Sequence, residues 1–224
     1  MRTAELEGTW RGDNRLRRAD GTVIPVSQVL IAHRHLDDDD ISFSVVCRDT
    51  TDAHRLEDQL RRATLYDDTT GLPNRALLTE HLERLDASGA WAGTAAVLFC
   101  DVTGLDEVNE TWGFDVGESL LATLGQRLRA TAAAGDLVAR YGGAQFVVVM
   151  AATDDEIEPV HLAERLVARL AEPVEVEGHV VRITGSVGVS IVEADQAPFD
   201  TLRSAEIALH RAREAGGGRY TIFE

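Results

Sequence analysis

The spacing of polar and apolar residues changes several times along this chain, and each change predicts a different kind of element. Residues 1–50 contain three runs typical of strands, namely Gly8 to Arg17, Thr22 to His33 and Ile41 to Cys47. A turn at Asp20-Gly21 separates the first two runs, and an acidic loop from Asp37 to Asp40 separates the last two. The pattern therefore predicts an antiparallel β-meander over residues 1–50.

Residues 51–66 differ because they are strongly charged, with Leu56 and Leu60 on one side of a predicted linker helix from Thr51 to Leu65. The apolar stripe is narrow, as in the seam of a coiled coil, but it is short. Two interpretations stay open. The helix either packs on its own chain, or it pairs with a second copy and carries a signal between domains.

From residue 67 to residue 224, helical and strand-like patterns alternate, which is typical of a domain built around one sheet. The predicted helices are Arg75 to Arg84, Leu105 to Trp112, Gly117 to Ala132, Glu158 to Leu170 and Thr201 to Ala215. The predicted strands are Ala95 to Val102, Leu137 to Tyr141, Val147 to Met150 and Arg219 to Phe223, with a hairpin and a further strand in Pro173 to Ile191. We therefore expect an α/β (α+β) fold with helices on both faces of the sheet.

Gly142-Gly143 lies between two of these strands and predicts a two-residue hairpin turn. Such a turn needs positive φ angles, which glycine adopts without steric cost. The apolar run after the turn, from Val147 to Met150, is continuous, as in a strand that is buried on both faces. The stretch from Ala139 to Met150 is therefore expected to form a β-hairpin near the centre of the domain.

Composition narrows the set of partners. The formal net charge of −16 gives a surface that repels phosphate backbones, which argues against nucleic acid and anionic membranes as partners. A nucleotide is compatible with such a surface only through a local cation or a bound metal. Cys47 and Cys100 each end an apolar run and are expected to be buried free thiols in a reducing compartment. No stretch has the pattern of a membrane span or signal peptide, so we expect a cytoplasmic chain.

Two motifs resemble the GGDEF domains, the diguanylate cyclases that join two GTP molecules into cyclic di-GMP. They are Thr70-Gly71-Leu72-Pro73-Asn74-Arg75, and Arg140-Tyr141-Gly142-Gly143 followed two residues later by Phe146. The resemblance covers residues 67–224 and implies a palm-like sheet related to that of ferredoxins. Residues 1–50 resemble the C-terminal half of a PAS domain, because Arg48-Asp49-Thr50-Thr51 matches the usual Asp-x-Thr exit of that domain.

The resemblance implies a Mg²⁺ or Mn²⁺ ion held by Asp101, the backbone of Val102 and an acidic residue after the turn glycines. The signature of this chain is Gly142-Gly143-Ala144-Gln145-Phe146, so both acidic positions of the family are replaced. Alanine offers no ligand atom, and the neutral carbonyl of glutamine is a weak ligand for a hard cation. We therefore expect an incomplete metal site.

The positions that would hold the GTP phosphates are also altered. Asp106 stands where the family has a lysine, and Gly217 replaces an arginine of the family. Arg211 and Arg213 match basic positions on the last helix of the family. Both are equally compatible with solvated charges, since cations are favoured near a helix C-terminus.

The positions that recognise guanine in the family are better preserved. Asn109 matches the asparagine that contacts guanine, and Glu118 replaces an aspartate that accepts hydrogen bonds from the base. The alternative is that Asn109 is an ordinary surface residue and Glu118 an acid favoured by the helix dipole. Phe114 replaces a histidine of the family, a change consistent with packing. Asp136 matches the aspartate of an inhibitory product site, whose arginine is replaced by Ala133.

Together these changes favour a catalytically inactive GGDEF domain that acts as a regulatory, dimerisation or GTP-sensing module in cyclic di-GMP signalling. One alternative is an active diguanylate cyclase with non-standard metal ligands. Another is a protein-interaction domain that binds no nucleotide. The resemblance also implies a homodimer and, in a longer chain, an EAL phosphodiesterase domain.

Overall fold

The computed structural model describes residues 2–34, 41–93, 96–151, 157–192 and 196–224. The chain forms two compact units, one up to Arg62 and the other from Ala63 onward. None of the described helices is long and apolar enough to cross a membrane. The acidic loop predicted from Asp37 to Asp40 lies outside the described residues.

The first unit contains helix α1 (Arg2–Glu7), strands β1 (Thr9–Arg17), β2 (Val23–Arg34) and β3 (Ile41–Asp49), and most of helix α2 (Thr51–Leu65), whose last three residues belong to the second unit. The strands form an antiparallel sheet in the order β1-β2-β3. The predicted β-meander and the predicted helix after it are thus confirmed. Helix α1 is not predicted by the sequence pattern, because a helix of 6 residues is too short to show a clear periodicity.

The prediction that Cys47 is buried is wrong, since this residue is exposed. Cys47 lies in β3, an edge strand of the three-stranded sheet, where Val45 and Val46 are 50% and 60% exposed. The apolar run in β3 therefore indicates a strand, but not a buried one. Cys100 belongs to the second unit and is buried and unpaired, as predicted. Burial, together with the charge of Asp101, raises the pKa of the Cys100 thiol to about 12.

The second unit contains alternating helices and strands. The helices are α3 (Arg75–Ala87), a short 3₁₀ helix (Ala90–Gly93), α4 (Leu105–Trp112), α5 (Phe114–Thr131), α6 (Glu158–Ala171) and α7 (Pro198–Glu214). The strands are β4 (Ala96–Thr103), β5 (Leu137–Gly142), β6 (Gln145–Met150), β7 (Val174–Val176), β8 (His179–Val181), β9 (Thr184–Ile191) and β10 (Tyr220–Ile222). The predicted helices and strands of residues 67–224 are all present, and their ends differ from the predictions by only a few residues.

Five of these strands form one sheet in the order β10-β9-β4-β6-β5. β10 runs parallel to β9, and the other neighbouring strands are antiparallel. Leu98 of β4 packs in a cluster with α5 and α6, whereas its neighbour Phe99 packs in a second cluster with α3 and α7. Since successive side chains of a strand point to opposite faces, the helices cover both faces of the sheet. The predicted fold class is therefore confirmed.

Strand β4 is the middle strand of the sheet, and its end positions the candidate site. Residues Ala96 to Cys100 are completely buried, which explains their continuous apolar sequence. The run ends at Asp101, where a charged side chain interrupts the buried strand. A polar residue at the end of a central strand lies at the sheet edge where ligands commonly bind in open sheets.

Candidate functional site

The predicted hairpin of β5 and β6 is present, but its turn lies one residue later than predicted. Gly142 is the last residue of β5 and pairs with Gln145, so the two turn residues are Gly143 and Ala144 instead of Gly142 and Gly143. Gly142 and Gly143 have φ angles of 148° and 54°, so both adopt positive values. The register of the two strands shifts between Arg140 and Gly142. The guanidinium of Arg140 spans this irregular segment, because its Nε and Nη2 donate hydrogen bonds to the Gly143 carbonyl at 3.2 and 2.9 Å. Arg140 therefore holds the turn in place.

Arg140 also connects the hairpin to the start of the second unit. Its Nη1 donates to both carboxylate oxygens of Asp67, at 2.9 and 3.0 Å. The backbone N–H and the hydroxyl of Thr70 donate to one of the same oxygens. Burial acts to raise the pKa of Asp67, but these hydrogen bonds and the charge of Arg140 outweigh it and hold the pKa below its usual value. No sequence pattern predicts this pair, although Arg140 belongs to the second matched motif and Asp67 lies three residues before the first.

Two residues of the first motif, Asn74 and Arg75, also stabilise the fold. The side chain of Asn74 caps α3, accepting hydrogen bonds from the backbone of Ala76 and Leu77 at 2.9 and 3.1 Å. The guanidinium of Arg75 lies 4.6 Å from the ring centre of Tyr141, a cation–π contact that reaches the hairpin. The motif therefore fixes the position of the hairpin relative to α3.

The carboxylate of Asp101 lies near the end of β4, beside the hairpin. Its neighbours across the sheet are Gln145 of β6 and Ser186 of β9. Only 7% of Asp101 is exposed, and its carboxylate lies 3.4 Å from Nη1 of Arg213. Burial raises the pKa of Asp101, while the charge of Arg213 and a hydrogen bond from Gln145 partly oppose this shift. Asp101 of β4 thus lies beside two other predicted site residues, Gln145 of β6 and Arg213 of α7.

Residues 144 and 145 provide no second carboxylate at this position. The carbonyl of Ala144 accepts the backbone N–H of Val102 at 3.1 Å, so the turn lies directly beside the end of β4. Among the described residues, no group of three His, Cys, Asp or Glu side chains is close enough together to hold a metal ion. Divalent cations such as Mg²⁺ are usually held by one or two carboxylates together with substrate phosphates. A single carboxylate that already pairs with an arginine does not fit such an ion.

A cleft lies next to this cluster. It has a volume of about 510 Å³ and is lined by Thr103, Thr184, His210, Arg213, Glu214, Gly216 and Gly217. The N–H of Gly217 donates to the Ala212 carbonyl, so it is not directed at the cleft. Arg211 projects differently from Arg213, since its guanidinium lies 5.7 Å from the ring centre of Phe223. Of the two predicted arginines, the structure brings only Arg213 to Asp101.

The predicted guanine-recognition pair lies on two packed helices. Asn109 is in α4, Glu118 is in α5, and these helices are in contact. A Cβ atom added to Gly117 would overlap Oδ1 of Asn109. The amide of Asn109 therefore lies against the backbone of the residue that precedes Glu118. Glu118 is exposed and Asn109 is half-buried, so both polar groups are accessible to a ligand.

A model of the family described as diguanylate cyclase, GGDEF domain, matches residues 64–219, which is more than half of the chain. The chain belongs to this family. Residues 64–219 thus form a GGDEF domain.

Two relatives of this GGDEF domain are named for enzymes of cyclic di-GMP metabolism. It is 34% identical over 176 residues to the bifunctional diguanylate cyclase/cyclic di-GMP phosphodiesterase MucR of Pseudomonas aeruginosa, covering 78% of this chain and 26% of MucR. It is 33% identical over 169 residues to the cyclic di-GMP phosphodiesterase NbdA of the same organism, covering 73% of this chain and 21% of NbdA. The chain thus spans about a quarter of the length of these relatives.

Solved structures show the same fold. The isolated GGDEF domain of YfiN from Pseudomonas aeruginosa has a TM-score of 0.66 at 28% identity, covering 71% of this chain and 94% of that one. The coiled coil and GGDEF domain of DgcB from Caulobacter crescentus, in complex with c-di-GMP, has a TM-score of 0.68 at 24% identity. That second comparison covers 77% of this chain and 94% of DgcB and supports the fold alone.

The structure also shows the surroundings of three other residues that the sequence analysis discussed, Phe114, Asp106 and Asp136. Phe114 is 77% exposed at the start of α5, so the expectation that it packs is wrong. Asp106 is exposed in the first turn of α4, where an acid is favoured by the helix dipole. The two carboxylate oxygens of Asp136 accept the backbone N–H groups of Ala133 and Ala151, at 2.8 and 3.0 Å. Asp136 therefore stabilises the loop around it.

Proposed function

We propose that this GGDEF domain is a catalytically inactive regulatory module that binds a guanine nucleotide in cyclic di-GMP signalling. The observation that carries the proposal is the pairing of Asp101 with Gln145, next to Ala144, at the end of β4. Cyclisation of GTP requires a metal ion to screen the phosphates and orient the attacking hydroxyl. With one carboxylate in place of the usual set, the hairpin lacks the ligands for that ion.

The charge at a position where the family binds the phosphates of GTP supports the same proposal. Asp106 replaces a lysine, which changes the local charge by two units toward repulsion of a triphosphate. At a separation of about 4 Å, each unit charge contributes about 1 kcal/mol in water and about 4 kcal/mol at an effective dielectric constant of 20. The loss of a cation therefore weakens phosphate binding at the same time as the loss of metal ligands.

The test of catalytic inactivity is a product assay. The purified protein is incubated with GTP and either Mg²⁺ or Mn²⁺, and the products are separated by chromatography, with a GGDEF domain that retains its acidic signature as the positive control. We expect no cyclic di-GMP from this chain. Steady formation of cyclic di-GMP would overturn the proposal and favour the alternative, an active diguanylate cyclase with non-standard metal ligands.

The nucleotide part of the proposal rests on Asn109 and Glu118, whose polar groups lie on adjoining helices. A carboxylate can accept two hydrogen bonds from the Watson–Crick edge of guanine, and an amide can donate and accept on the same base. We expect calorimetry to detect GTP and GDP but not ATP, and Asn109→Ala or Glu118→Ala to abolish the heat. Glu206→Ala, an exposed acid on α7, is the matched control. Absence of heat with wild type would instead support an interaction domain without a nucleotide.

Assembly is a further part of the proposal. We assign residues 1–50 to the C-terminal half of a PAS domain, residues 51–66 to a signalling helix and residues 67–224 to the GGDEF domain. The antiparallel meander and the helix α2 that follows it are consistent with this assignment. The module would act as a homodimer and would regulate an EAL phosphodiesterase domain in a longer chain, in keeping with the phosphodiesterase names of its relatives.

A further inference from the structure

Phe114, the first residue of α5, presents its aromatic ring to solvent. Of the six phenylalanines of the chain it is the most exposed, at 77%. Trp112, two positions earlier, stacks on His179 of β8 with the ring centres 5.4 Å apart, whereas no ring contact involves Phe114 in the part of the chain that the structure describes. An exposed ring of this size leaves a large apolar surface in water, which is unfavourable. Packing within the domain therefore does not explain an aromatic side chain at this position.

The ring lies beside the two residues that we propose to recognise guanine. Phe114 and Glu118 are four positions apart in α5, and residues with this spacing are neighbours on one face of a helix. Side chains of a helix lean toward its N-terminus, so the side chain of Glu118 extends over the turn that begins at Phe114.

The same part of α5 adjoins Asn109. At 3.6 residues per turn, Phe114 lies between Gly117 and Glu118 around the helix axis. Gly117 is the residue against which the amide of Asn109 lies. The backbone N–H of Gly113, just before Phe114, donates to the carbonyl of Asn109 at 3.0 Å. Asn109, Phe114 and Glu118 therefore border one strip of the surface that α4 and α5 form together.

We propose that the ring of Phe114 stacks on one face of the guanine base, while Glu118 and Asn109 bind the edge of the same base. This inference rests on the proposed nucleotide-sensing function. The N1–H and N2–H groups of guanine donate in the plane of the base, so hydrogen bonds to a carboxylate leave both faces of the base open to apolar contact. An aromatic side chain contacts such a face in an offset stack and removes its own apolar surface from water. The family has a histidine at this position, so the phenyl ring is a departure of this chain from the family pattern.

This arrangement divides affinity from selectivity. Every base has an aromatic face, so stacking on Phe114 strengthens binding without regard to the identity of the base. Hydrogen bonds to Glu118 and Asn109 depend on the donors and acceptors of the base edge, so they distinguish guanine from other bases. Loss of the ring is then expected to weaken binding without changing which base is preferred.

The first experiment is titration calorimetry of the full chain with GDP. We expect Phe114→Ala and Phe114→Leu each to weaken binding by at least about fivefold, because neither side chain has an aromatic face. Phe114→Tyr keeps the ring and should stay within about threefold of wild type. Phe199→Ala is the matched control, since it removes a phenyl ring that is 46% exposed on α7 and should leave the affinity unchanged. Thermal unfolding of each variant checks that it folds.

A second nucleotide tests the role of the ring. Inosine diphosphate lacks the 2-amino group of guanine, so it loses one hydrogen bond to the base edge and should bind wild type more weakly than GDP. Phe114→Ala should weaken both nucleotides by the same factor and leave the ratio of their affinities unchanged within about twofold. A larger change in this ratio would show that the substitution disturbs the residues at the base edge, and it would overturn the assignment of stacking.

Nuclear magnetic resonance locates the ring directly. The ring current of a stacked phenyl group shifts the H8 resonance of bound GDP upfield, and the ring protons give a nuclear Overhauser effect to H8. We expect both signals in wild type saturated with GDP and neither in saturated Phe114→Leu. Bound GDP without these signals in wild type would contradict the inference.

The outcomes separate this inference from the function on which it rests. Unchanged GDP affinity in folded Phe114→Ala, together with loss of binding in Asn109→Ala, would overturn the inference but leave nucleotide sensing intact. Reduced self-association of Phe114→Ala with unchanged GDP affinity would also overturn it and assign the ring to a contact between copies of the chain. Absence of GDP and GTP binding by wild type would overturn the nucleotide-sensing proposal and this inference together.

Discussion

Asp67 and Arg140 lie 73 positions apart in the sequence, yet Nη1 of Arg140 donates to both carboxylate oxygens of Asp67 and fixes the signature hairpin against the start of the domain. The exposed fractions of their side chains are 13% for Arg140 and 23% for Asp67. Removal of one partner of such a partly buried pair leaves the other charge without compensation. We expect Arg140→Ala to lower the free energy of unfolding by about 2 kcal/mol, measured by urea denaturation.

The matched control is Arg165→Ala, which breaks the ion pair with Glu158. That pair is more exposed, with 46% and 31% of the two side chains accessible. Exposed pairs contribute at most about 1 kcal/mol. Equal losses for Arg140→Ala and Arg165→Ala would show that the pair with Asp67 is no more than a surface contact.

The same pair makes stability depend on pH. The pKa of Asp67 is held below its usual value in the folded protein, so the folded state favours the ionised carboxylate. The resulting stabilisation is complete above the pKa of an unfolded aspartate, about 3.9, and is lost as the pH falls through the lower pKa of the folded protein. We therefore expect the stability difference between wild type and Arg140→Ala to shrink as the pH falls below about 4. Urea denaturation at a series of pH values measures this difference, and a constant value would contradict the assignment.

At the level of secondary-structure elements, the packing of helix α7 on strand β9 depends on Gly188. A Cβ atom added to Gly188 would overlap the backbone of α7 at Ala205 and Leu209, and backbone atoms cannot move aside as a side chain can. We expect Gly188→Ala to lower the free energy of unfolding by at least about 3 kcal/mol, as overpacking of a core does in severe cases. Denaturation in urea is the measurement.

Gly125→Ala in α5 is the comparison for this prediction. Its added Cβ atom would lie 3.1 Å from a methyl carbon of Leu72 and 3.2 Å from Cβ of Thr70, which is a tight contact but not an overlap. Because alanine is also favoured over glycine within a helix, we expect a change of less than about 1 kcal/mol. If Gly125→Ala proved as damaging as Gly188→Ala, close approach of the α7 backbone would not explain the glycine at 188.

The helices and strands could be predicted from the sequence where the residues of a short segment determine its conformation. The positive φ angles of Gly142-Gly143 and the buried run of β4 both follow from residue type alone. The start of α5 was predicted three residues late, because glycines at 113 and 117 weaken the helical pattern there. An apolar residue type did not predict burial reliably, because Cys47 and Phe114 are both exposed.

The candidate site could be predicted only in part. The motif places Asp101 at the end of a strand, and the structure agrees because strand ends are specified locally. The contact of Asp101 with Arg213 depends on how α7 packs across the sheet, and no local pattern encodes it. The overlap between Gly117 and Asn109 is likewise a property of two packed helices. The sequence thus offers candidate residues, while the contacts among them depend on the tertiary structure.

For the whole molecule, the open question from the sequence is whether α2 pairs with a second copy. In a single chain, Leu56 and Leu60 are 59% and 61% exposed, and they lie four residues apart on one side of the helix. Pairing of two such helices would remove this apolar surface from water, and such burial is the main driving force of association.

We expect Leu56→Asp to convert a dimer into a monomer, measured by sedimentation velocity over a range of concentrations. Leu6→Asp places the same charge at another exposed leucine, on α1, and should leave the dimer intact. A dimer that persists in Leu56→Asp would place the contact elsewhere and leave α2 as a linker, because a charge buried at the centre of the seam could not be tolerated.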